Sequence, residues 1–238
     1  MSRYVLVHGA WHGAWCWSAV TEALRAAGHA VEVPELPGRG ADTRPHASLT
    51  LDDYVRCVGD AIAARPEPVV LVGHSMGGIT ITQAAEVMPE RIARLVYVTA
   101  FLPRNGRSLL DYSATVADTA LQRGIEADPA AGSLRLKSAE VARQAFYNCC
   151  DARAADAALA RLVPEPMAPA ATPVRTTAQR CGRVPRWYVE CLEDHAITPP
   201  LQRLMLAEQP CERVLQLDAD HSPFLSATAA LTTILAAA

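Results

Sequence analysis

Residues 69–77 read VVLVGHSMG, an apolar run that leads into Ser75 between two glycines, Gly73 and Gly77. A short apolar run is typical of a strand that is buried on both faces of a parallel sheet. A helix-like segment follows at residues 77–86. The pattern G-x-S-x-G between a strand and a helix predicts a sharp turn, because small flanking residues let neighbouring backbone pass closely. We therefore expect Ser75 to stand clear of the sheet at a helix N-terminus, as a catalytic nucleophile.

Strand-like and helix-like segments alternate on both sides of this turn. The apolar runs that predict strands are residues 4–7, 30–33, 68–72, 94–100, 186–191 and 213–217. The segments with helical spacing of apolar residues are 17–27, 51–64, 77–86, 200–208 and a last one from residue 222. Such alternation predicts an α/β fold with a mostly parallel central sheet flanked by helices.

The alternation is interrupted after Pro103. Residues 104–180 contain broken helical segments and a proline cluster at positions 164, 166, 169 and 173, with no clear strand. We interpret residues 104–180 as an inserted helical cap, and residues 1–103 and 181–238 as the two halves of the core. The cap would select the substrate, which the fold alone does not identify.

The composition excludes several classes of protein. The 238 residues include 22 Lys and Arg against 25 Asp and Glu, so the formal net charge of −3 gives no electrostatic support for a nucleic acid partner. Hydrophobic residues make up 50% of the chain, which is typical of a folded globular protein. The seven cysteines are an odd number without a C-x-x-C pair. This argues against zinc and against a disulfide framework, and we expect no metal and no cofactor.

The first strand begins close to residue 1, with no basic segment and no long apolar stretch before it. We therefore expect no signal peptide, no membrane association and a location in the reducing cytoplasm. The sequence carries no signal for an oligomeric state.

A nucleophilic serine needs a base, and the base follows Ser75 in the chain order that this turn predicts. Only His195 and His221 lie downstream of Ser75. His221 follows the strand at residues 213–217 and precedes the last helix. Because a loop in this place approaches the serine from above the sheet, we predict that His221 is the base.

Four carboxylates compete to orient the base: Glu193, Asp194, Asp218 and Asp220. Asp194 comes directly after the strand at residues 186–191, at the sheet edge where α/β proteins bind ligands. Asp218 and Asp220 lie on the loop of the base itself, where we expect them to shape its turn. We therefore predict Asp194 as the third catalytic residue.

The tetrahedral intermediate of acyl transfer needs two aligned N–H donors. The residue after the nucleophile, Met76, supplies one, and a loop after an early strand supplies the other. The loop that begins at His8 follows the first strand. We predict the backbone N–H of Ala10 as the second donor, and a structural role for His8.

Three further residues are candidates for substrate contact. Trp11 and His12 either wall the substrate pocket or pack inside the core, and the sequence does not decide between these roles. His195 lies beside the predicted acid, at the entrance or facing the cap. His74, inside the turn, is expected to support the turn rather than relay protons.

The chain resembles the α/β-hydrolase superfamily in four segments: residues 4–15 (YVLVHGAWHGAW), the serine turn, residues 99–103 (TAFLP), and residues 191–194 (CLED) followed by Asp220 and His221. More narrowly, it is similar to the branch that holds plant methylesterases, such as salicylate methyl esterase, and hydroxynitrile lyases. The resemblance implies the triad Ser75, Asp194 and His221, with Ala10 and Met76 as oxyanion donors.

The first functional hypothesis is a cofactor-independent serine esterase, acting on a small carboxylic ester such as a methyl ester through an acyl-enzyme. One alternative is a hydroxynitrile lyase or other carbon–carbon lyase on the same scaffold. The lyases of this branch carry threonine and lysine where this chain has Gly9 and Ser222, which favours the esterase. The other alternative is a ligand-binding receptor that retains the triad.

Overall fold

The computed structural model describes residues 1–116 and 119–238, and it confirms the predicted α/β fold. The strands in these ranges are β1 (Arg3–Val7), β2 (Ala30–Glu32), β3 (Val69–His74), β4 (Ile92–Val98), β5 (Ile125–Asp128), β6 (Ser133–Leu136), β7 (Glu165–Pro166), β8 (Arg186–Cys191) and β9 (Arg213–Leu217). The central sheet has the order β2-β1-β3-β4-β8-β9. Its neighbouring strands pair in parallel throughout.

Helices cover both faces of the central sheet. They are α1 (Ser18–Ala26), α2 (Leu51–Ala63), α3 (Gly77–Val87), α4 (Leu109–Ser113), α5 (Ala120–Gly124), α6 (Ala139–Phe146), α7 (Ala152–Leu159), α8 (Met167–Ala171), α9 (Pro199–Glu208), α10 (Pro223–Ser226) and α11 (Thr228–Ala236). Within the described ranges, no helix is both long enough and apolar enough to cross a bilayer.

The core consists of two hydrophobic layers, one on each face of the sheet. Alternate side chains of a strand point to opposite faces. Tyr4 and Leu6 of β1 accordingly pack in the layer that includes buried residues of α1 and α11. Val5 and Val7 pack in the opposite layer, which includes residues of α2 and α3. Burial of both faces explains why the strands read as apolar runs.

Segment 104–180 contains a small antiparallel sheet formed by β5, β6 and β7. The expectation that this segment holds no strand is therefore wrong. These strands have 4, 4 and 2 residues, and the first two carry charged side chains such as Glu126 and Arg135. They therefore give no apolar run. The division into a core and a cap at residues 104 and 180 stays a prediction.

The parallel sheet brings several loops to one edge, because the carboxyl ends of parallel strands lie together. The loop that begins at His8 follows β1, and Ser75 follows β3. Asp194 comes after β8 and His221 after β9. Residues that lie far apart in the sequence therefore meet above the same edge of the sheet.

Candidate active site

Ser75 occupies the sharp turn between β3 and α3. Its backbone is left-handed, with a φ of 53° that is uncommon for a residue with a side chain. A Cβ on Gly73 would lie 2.8 Å from the carbonyl oxygen of Gly77, and a Cβ on Gly77 would lie 2.9 Å from that of His8. Both positions therefore require glycine, and the turn presents the Ser75 hydroxyl at the N-terminus of α3.

Ser75, His221 and Asp194 form a continuous chain of hydrogen bonds. Ser75 Oγ lies 3.0 Å from His221 Nε2, and His221 Nδ1 lies 2.7 Å from Asp194 Oδ2. The three side chains are buried. The structure thus brings together the serine, the base and the acid that were predicted from the sequence.

Four donors hold the Asp194 carboxylate in place. Oδ1 accepts hydrogen bonds from the backbone N–H groups of Ala196 and Ile197, at 2.6 and 2.8 Å. Oδ2 accepts from the hydroxyl of Thr99 and from Nδ1–H of His221. Because the carboxylate only accepts, it selects the His221 tautomer with hydrogen on Nδ1 and leaves Nε2 able to take the serine proton.

Within the described ranges, the other candidate carboxylates do not contact the imidazole of the base. Asp220 is buried, but its oxygens accept from the backbone N–H groups of Cys149 and Ser222, at 2.8 and 3.0 Å. These contacts anchor the loop to segment 104–180. Glu193 and Asp218 are exposed. The geometry therefore favours Asp194 over its competitors.

Ala10 and Met76 present backbone N–H groups beside Ser75. Both residues line the same cavity as the serine. Across the part of the chain that the structure describes, neither N–H group has a protein acceptor. Because Met76 directly precedes α3, the positive end of the helix dipole adds to its N–H. The two groups are suited to stabilise negative charge on a carbonyl oxygen that Ser75 attacks.

The hydrogen-bond chain ends at a cavity of about 260 Å³. Its walls come from the loops above the central sheet and from segment 104–180. The walls are mainly apolar, and Glu165 is the one carboxylate among the described lining residues. Aliphatic and aromatic members of the wall include Trp11, Phe101, Leu109, Leu121, Ile125 and Phe146.

Trp11 lines this cavity, which is the first of the two roles that the sequence left open for it. Its indole stacks on Phe146, with ring centroids 5.7 Å apart, and its Nε1–H donates to the carbonyl oxygen of Leu134 at 3.1 Å. Both partners belong to segment 104–180. Trp11 therefore joins the loop after β1 to the wall of the cavity.

His12 and His195 do not line the cavity, and their assignment to substrate contact is corrected. His12 is buried behind the loop after β1, where its Nδ1 lies 2.9 Å from the carbonyl oxygen of Ala10 and its Nε2 lies 2.8 Å from the hydroxyl of Tyr147. His195 is exposed, and its Nδ1 lies 3.1 Å from the carbonyl oxygen of Gln144. His195 therefore contacts segment 104–180.

Burial keeps three histidines near the site neutral. It lowers the pKa of His12 to about 3, and it lowers the pKa values of His8 and His74 below their usual 6.5. The proximity of the positive charge that His221 can carry lowers the pKa of His74 further. The ring of His74, whose centroid lies 4.7 Å from that of His221, is therefore uncharged.

Comparison with known proteins identifies the family to which this fold belongs. The profile of the alpha/beta hydrolase family matches residues 4–233. The chain belongs to the alpha/beta hydrolase family. The fold, with its parallel sheet of six strands flanked by helices, is the one that this family shares.

Relatives of this alpha/beta hydrolase include plant methylesterases. It is 32% identical to methylesterase 7 of Arabidopsis thaliana over 247 residues, covering 98% of this chain and 94% of the relative. It is also 32% identical to the putative chloroplastic methylesterase 11 of the same plant, with 98% of this chain covered. The chain spans 63% of the length of that second relative.

The chain is also similar to solved structures of esterases. The crystal structure of polyneuridine aldehyde esterase matches this alpha/beta hydrolase with a TM-score of 0.88 and 26% identity. The match covers 99% of this chain and 98% of the other. The likeness therefore extends over segment 104–180 as well as the central sheet.

No pattern in the sequence predicted the residues that segment 104–180 contributes to the site of this alpha/beta hydrolase. Ile125, Phe146 and Glu165 line the cavity, but they carry no motif. Glu165 lies between Pro164 and Pro166, a pattern that indicates only a break in helical structure.

Proposed function

We propose that the chain is a cofactor-independent serine hydrolase that cleaves small carboxylic esters, with methyl esters as the expected class. The observation that carries the proposal is the hydrogen-bond chain from Ser75 through His221 to Asp194, which opens into an apolar cavity. The relatives named methylesterases support the same reaction class.

In the first half of the proposed reaction, Ser75 Oγ attacks the ester carbonyl carbon while His221 Nε2 takes its proton. Asp194 stabilises the imidazolium that forms. The carbonyl oxygen becomes an oxyanion and accepts hydrogen bonds from the N–H groups of Ala10 and Met76, the oxyanion hole. Collapse of the intermediate breaks the bond to the alcohol oxygen, and His221 gives that oxygen its proton. An acyl-enzyme on Ser75 remains.

The second half of the reaction hydrolyses this acyl-enzyme. His221 takes a proton from a water molecule, whose oxygen attacks the acyl carbon, and the oxyanion hole again stabilises the charge on the carbonyl oxygen. When the bond to Ser75 breaks, His221 returns the proton to Ser75 Oγ. The carboxylic acid leaves, and the enzyme returns to its starting state.

The lining of the cavity favours a substrate whose acyl group is uncharged and apolar. The described lining residues include neither lysine nor arginine, so they offer no positive charge to an acidic substituent. The carboxylate of Glu165 in the wall is paired with Arg39, so the wall offers no unpaired charge to a basic substituent either. Methyl esters of apolar aliphatic or aromatic acids fit these conditions.

The lack of lysine and arginine among the described lining residues also argues against the lyase alternative, in which cyanide leaves as an anion. Ser222 stands after the base, and Lys137 is exposed, with its Nζ donating to the carbonyl oxygen of Arg123 at 2.7 Å. A Cβ on Gly9 would lie 2.6 Å from the Cβ of Ser75, so this chain has no space for a threonine there without a shift.

The decisive experiment combines turnover with labelling of the serine. Wild type is expected to hydrolyse p-nitrophenyl acetate and methyl benzoate, and a fluorophosphonate should add a single covalent group at Ser75, detected by peptide mass spectrometry. Ser75→Ala should keep the circular dichroism spectrum of wild type. Its turnover rate should be lower by a factor of at least about 10³, as for other deletions of a triad residue. Absence of ester turnover and of Ser75 labelling in folded wild type would contradict the proposal. Cyanide release from mandelonitrile that depends on Ser75, without ester turnover, would favour the lyase.

A further inference from the structure

The peptide bond between Ala10 and Trp11 is held by a hydrogen bond at each end. Its carbonyl oxygen, on Ala10, lies 2.9 Å from His12 Nδ1. Its N–H, on Trp11, donates to Glu165 Oε2 at 2.9 Å. Trp11 is left-handed, with a φ of 59°, a conformation that persists only where surrounding contacts maintain it. The hydrogen bonds at the two ends of this peptide unit therefore fix the loop after β1.

Three groups from residues 1–103 bond to the carboxylate of Glu165: the Arg39 guanidinium, the Tyr54 hydroxyl and the backbone N–H of Trp11. The side chain of Glu165 is fully buried and pairs with the guanidinium of Arg39, and Tyr54 donates its hydroxyl hydrogen to Oε1 at 2.9 Å. Arg39 also donates from Nε to the carbonyl oxygen of His12, at 2.7 Å. A buried carboxylate with these partners has little freedom to rotate, so it is a firm acceptor for the N–H of Trp11.

The other end of the peptide is held through His12 by Tyr147. The carbonyl oxygen of Ala10 can only accept, so His12 carries its hydrogen on Nδ1. In the neutral ring Nε2 must then accept, and the hydroxyl of Tyr147 donates to it at 2.8 Å. Burial, which lowers the pKa of His12 to about 3, keeps the ring in this neutral form.

We propose that Glu165 and Tyr147 are positioning residues that fix the Ala10–Trp11 peptide and thereby aim the N–H of Ala10 into the oxyanion hole. The N–H of Ala10 belongs to the adjoining peptide unit, and the two units meet at the Cα of Ala10. Rotation of the held peptide would therefore redirect the donor. This inference rests on the proposed ester hydrolysis.

Both positioning residues come from segment 104–180, which also walls the cavity. One part of the chain thus contacts the substrate and sets the geometry of an oxyanion donor. A change in the cavity wall near Glu165 or Tyr147 would alter the rate of the chemical step as well as the choice of substrate.

The test compares variants that remove or keep each contact. Glu165→Leu removes both acceptor oxygens, whereas Glu165→Gln keeps an amide oxygen for the N–H of Trp11. Tyr147→Phe removes one hydroxyl and keeps the ring. The matched control is Tyr4→Phe, which removes a buried hydroxyl that donates to the carbonyl oxygen of Leu235 in α11. Wild-type turnover of p-nitrophenyl acetate, a substrate with a small acyl group, is measured first.

Two ligands separate positioning from general damage. A trifluoromethyl ketone adds to Ser75 and places an oxyanion in the hole, whereas the carboxylic acid product contacts the cavity without forming the tetrahedral adduct. For Glu165→Leu we expect kcat to fall about 10-fold to 100-fold, below the 10²–10³ lost on deletion of an oxyanion donor. KM and affinity for the acid should stay near wild type, and affinity for the ketone should fall in proportion to kcat. Glu165→Gln should recover most of the loss.

Tyr147→Phe should show the same pattern with a smaller loss, and it decides the question if Glu165→Leu does not fold. The inference is overturned if the folded variants lose no more kcat than Tyr4→Phe, or if they lose affinity for the acid and the ketone equally. Failure of the proposed function looks different, because wild type itself would then neither hydrolyse the ester nor bind the ketone covalently.

Discussion

His74 donates a hydrogen bond from Nε2 to the backbone carbonyl oxygen of His221, and the two atoms lie 2.7 Å apart. The side chain next to the nucleophile in the sequence therefore holds the backbone of the base, while the ring of the base reaches Ser75. The two imidazole rings are 4.7 Å apart. Burial lowers the pKa of His74, so its ring stays neutral and does not repel the imidazolium that His221 forms.

We predict that His74→Leu lowers kcat and that His74→Gln largely restores it. Leucine cannot donate to the His221 carbonyl, whereas the glutamine amide can. Since one hydrogen bond between neutral groups contributes about 0.5–1.5 kcal/mol, the loss of kcat should not exceed about tenfold. Steady-state kinetics with p-nitrophenyl acetate check the prediction, with circular dichroism to confirm folding. Equal kcat values in His74→Leu and His74→Gln would contradict it.

We predict that Asp194→Asn lowers kcat by about 10⁴, because an amide in that position stabilises the wrong tautomer of the base. The exposed Asp218 supplies the matched control, and Asp218→Asn should be near wild type. Asp220→Asn should lower Tm more than kcat, since Asp220 accepts backbone hydrogen bonds from Cys149 and Ser222. If Asp220→Asn proves inactive and Asp194→Asn is active, the assignment of the acid is wrong.

The sequence was sufficient to predict the parallel sheet and the residues above its edge. Apolar runs identified the central strands because these are buried on both faces. Chain order then placed Ser75, Asp194 and His221 after the carboxyl ends of strands in one parallel sheet, where the geometry brings them together. These inferences depend on local patterns and on the rules of parallel topology.

The contacts between the core and segment 104–180 could not be predicted in this way. The partners Trp11 and Glu165 lie 154 positions apart, and Arg39 and Glu165 lie 126 apart. Nothing local marks Glu165 as a buried charge, since a glutamate between prolines is usually exposed. The same limit applies to His12, whose pattern did not distinguish a cavity wall from a hydrogen bond to Tyr147.

We predict that Gly9→Ala lowers both Tm and kcat. A Cβ at this position would lie 2.6 Å from the Cβ of Ser75 and 3.2 Å from the backbone oxygen of His74, so the loop after β1 has to move. The matched control is Gly59→Ala in α2, where the Cβ would meet the flexible end of Met88 at 2.9 Å. Alanine there should raise stability by up to about 1 kcal/mol, because glycine is unfavourable inside a helix. Thermal unfolding and ester kinetics test both variants, and full activity of Gly9→Ala would contradict the prediction.

We predict that the free energy of unfolding falls as the pH is lowered from 7 to 5. Burial lowers the pKa values of His8, His12 and His74 in the folded protein, and that of His12 reaches about 3. The unfolded chain therefore binds protons below about 6.5 that the folded chain binds only at lower pH, so acidification favours unfolding. Each such histidine contributes up to about 1.4 kcal/mol per pH unit.

Urea unfolding followed by tryptophan fluorescence at several pH values measures this slope. In His12→Gln the slope should decrease, because one proton acceptor of the unfolded chain has been removed. The comparison of slopes is independent of any constant loss of stability when the contacts of His12 with Ala10 and Tyr147 change. A slope in His12→Gln equal to that of wild type would show that His12 is protonated in the folded protein at pH 5.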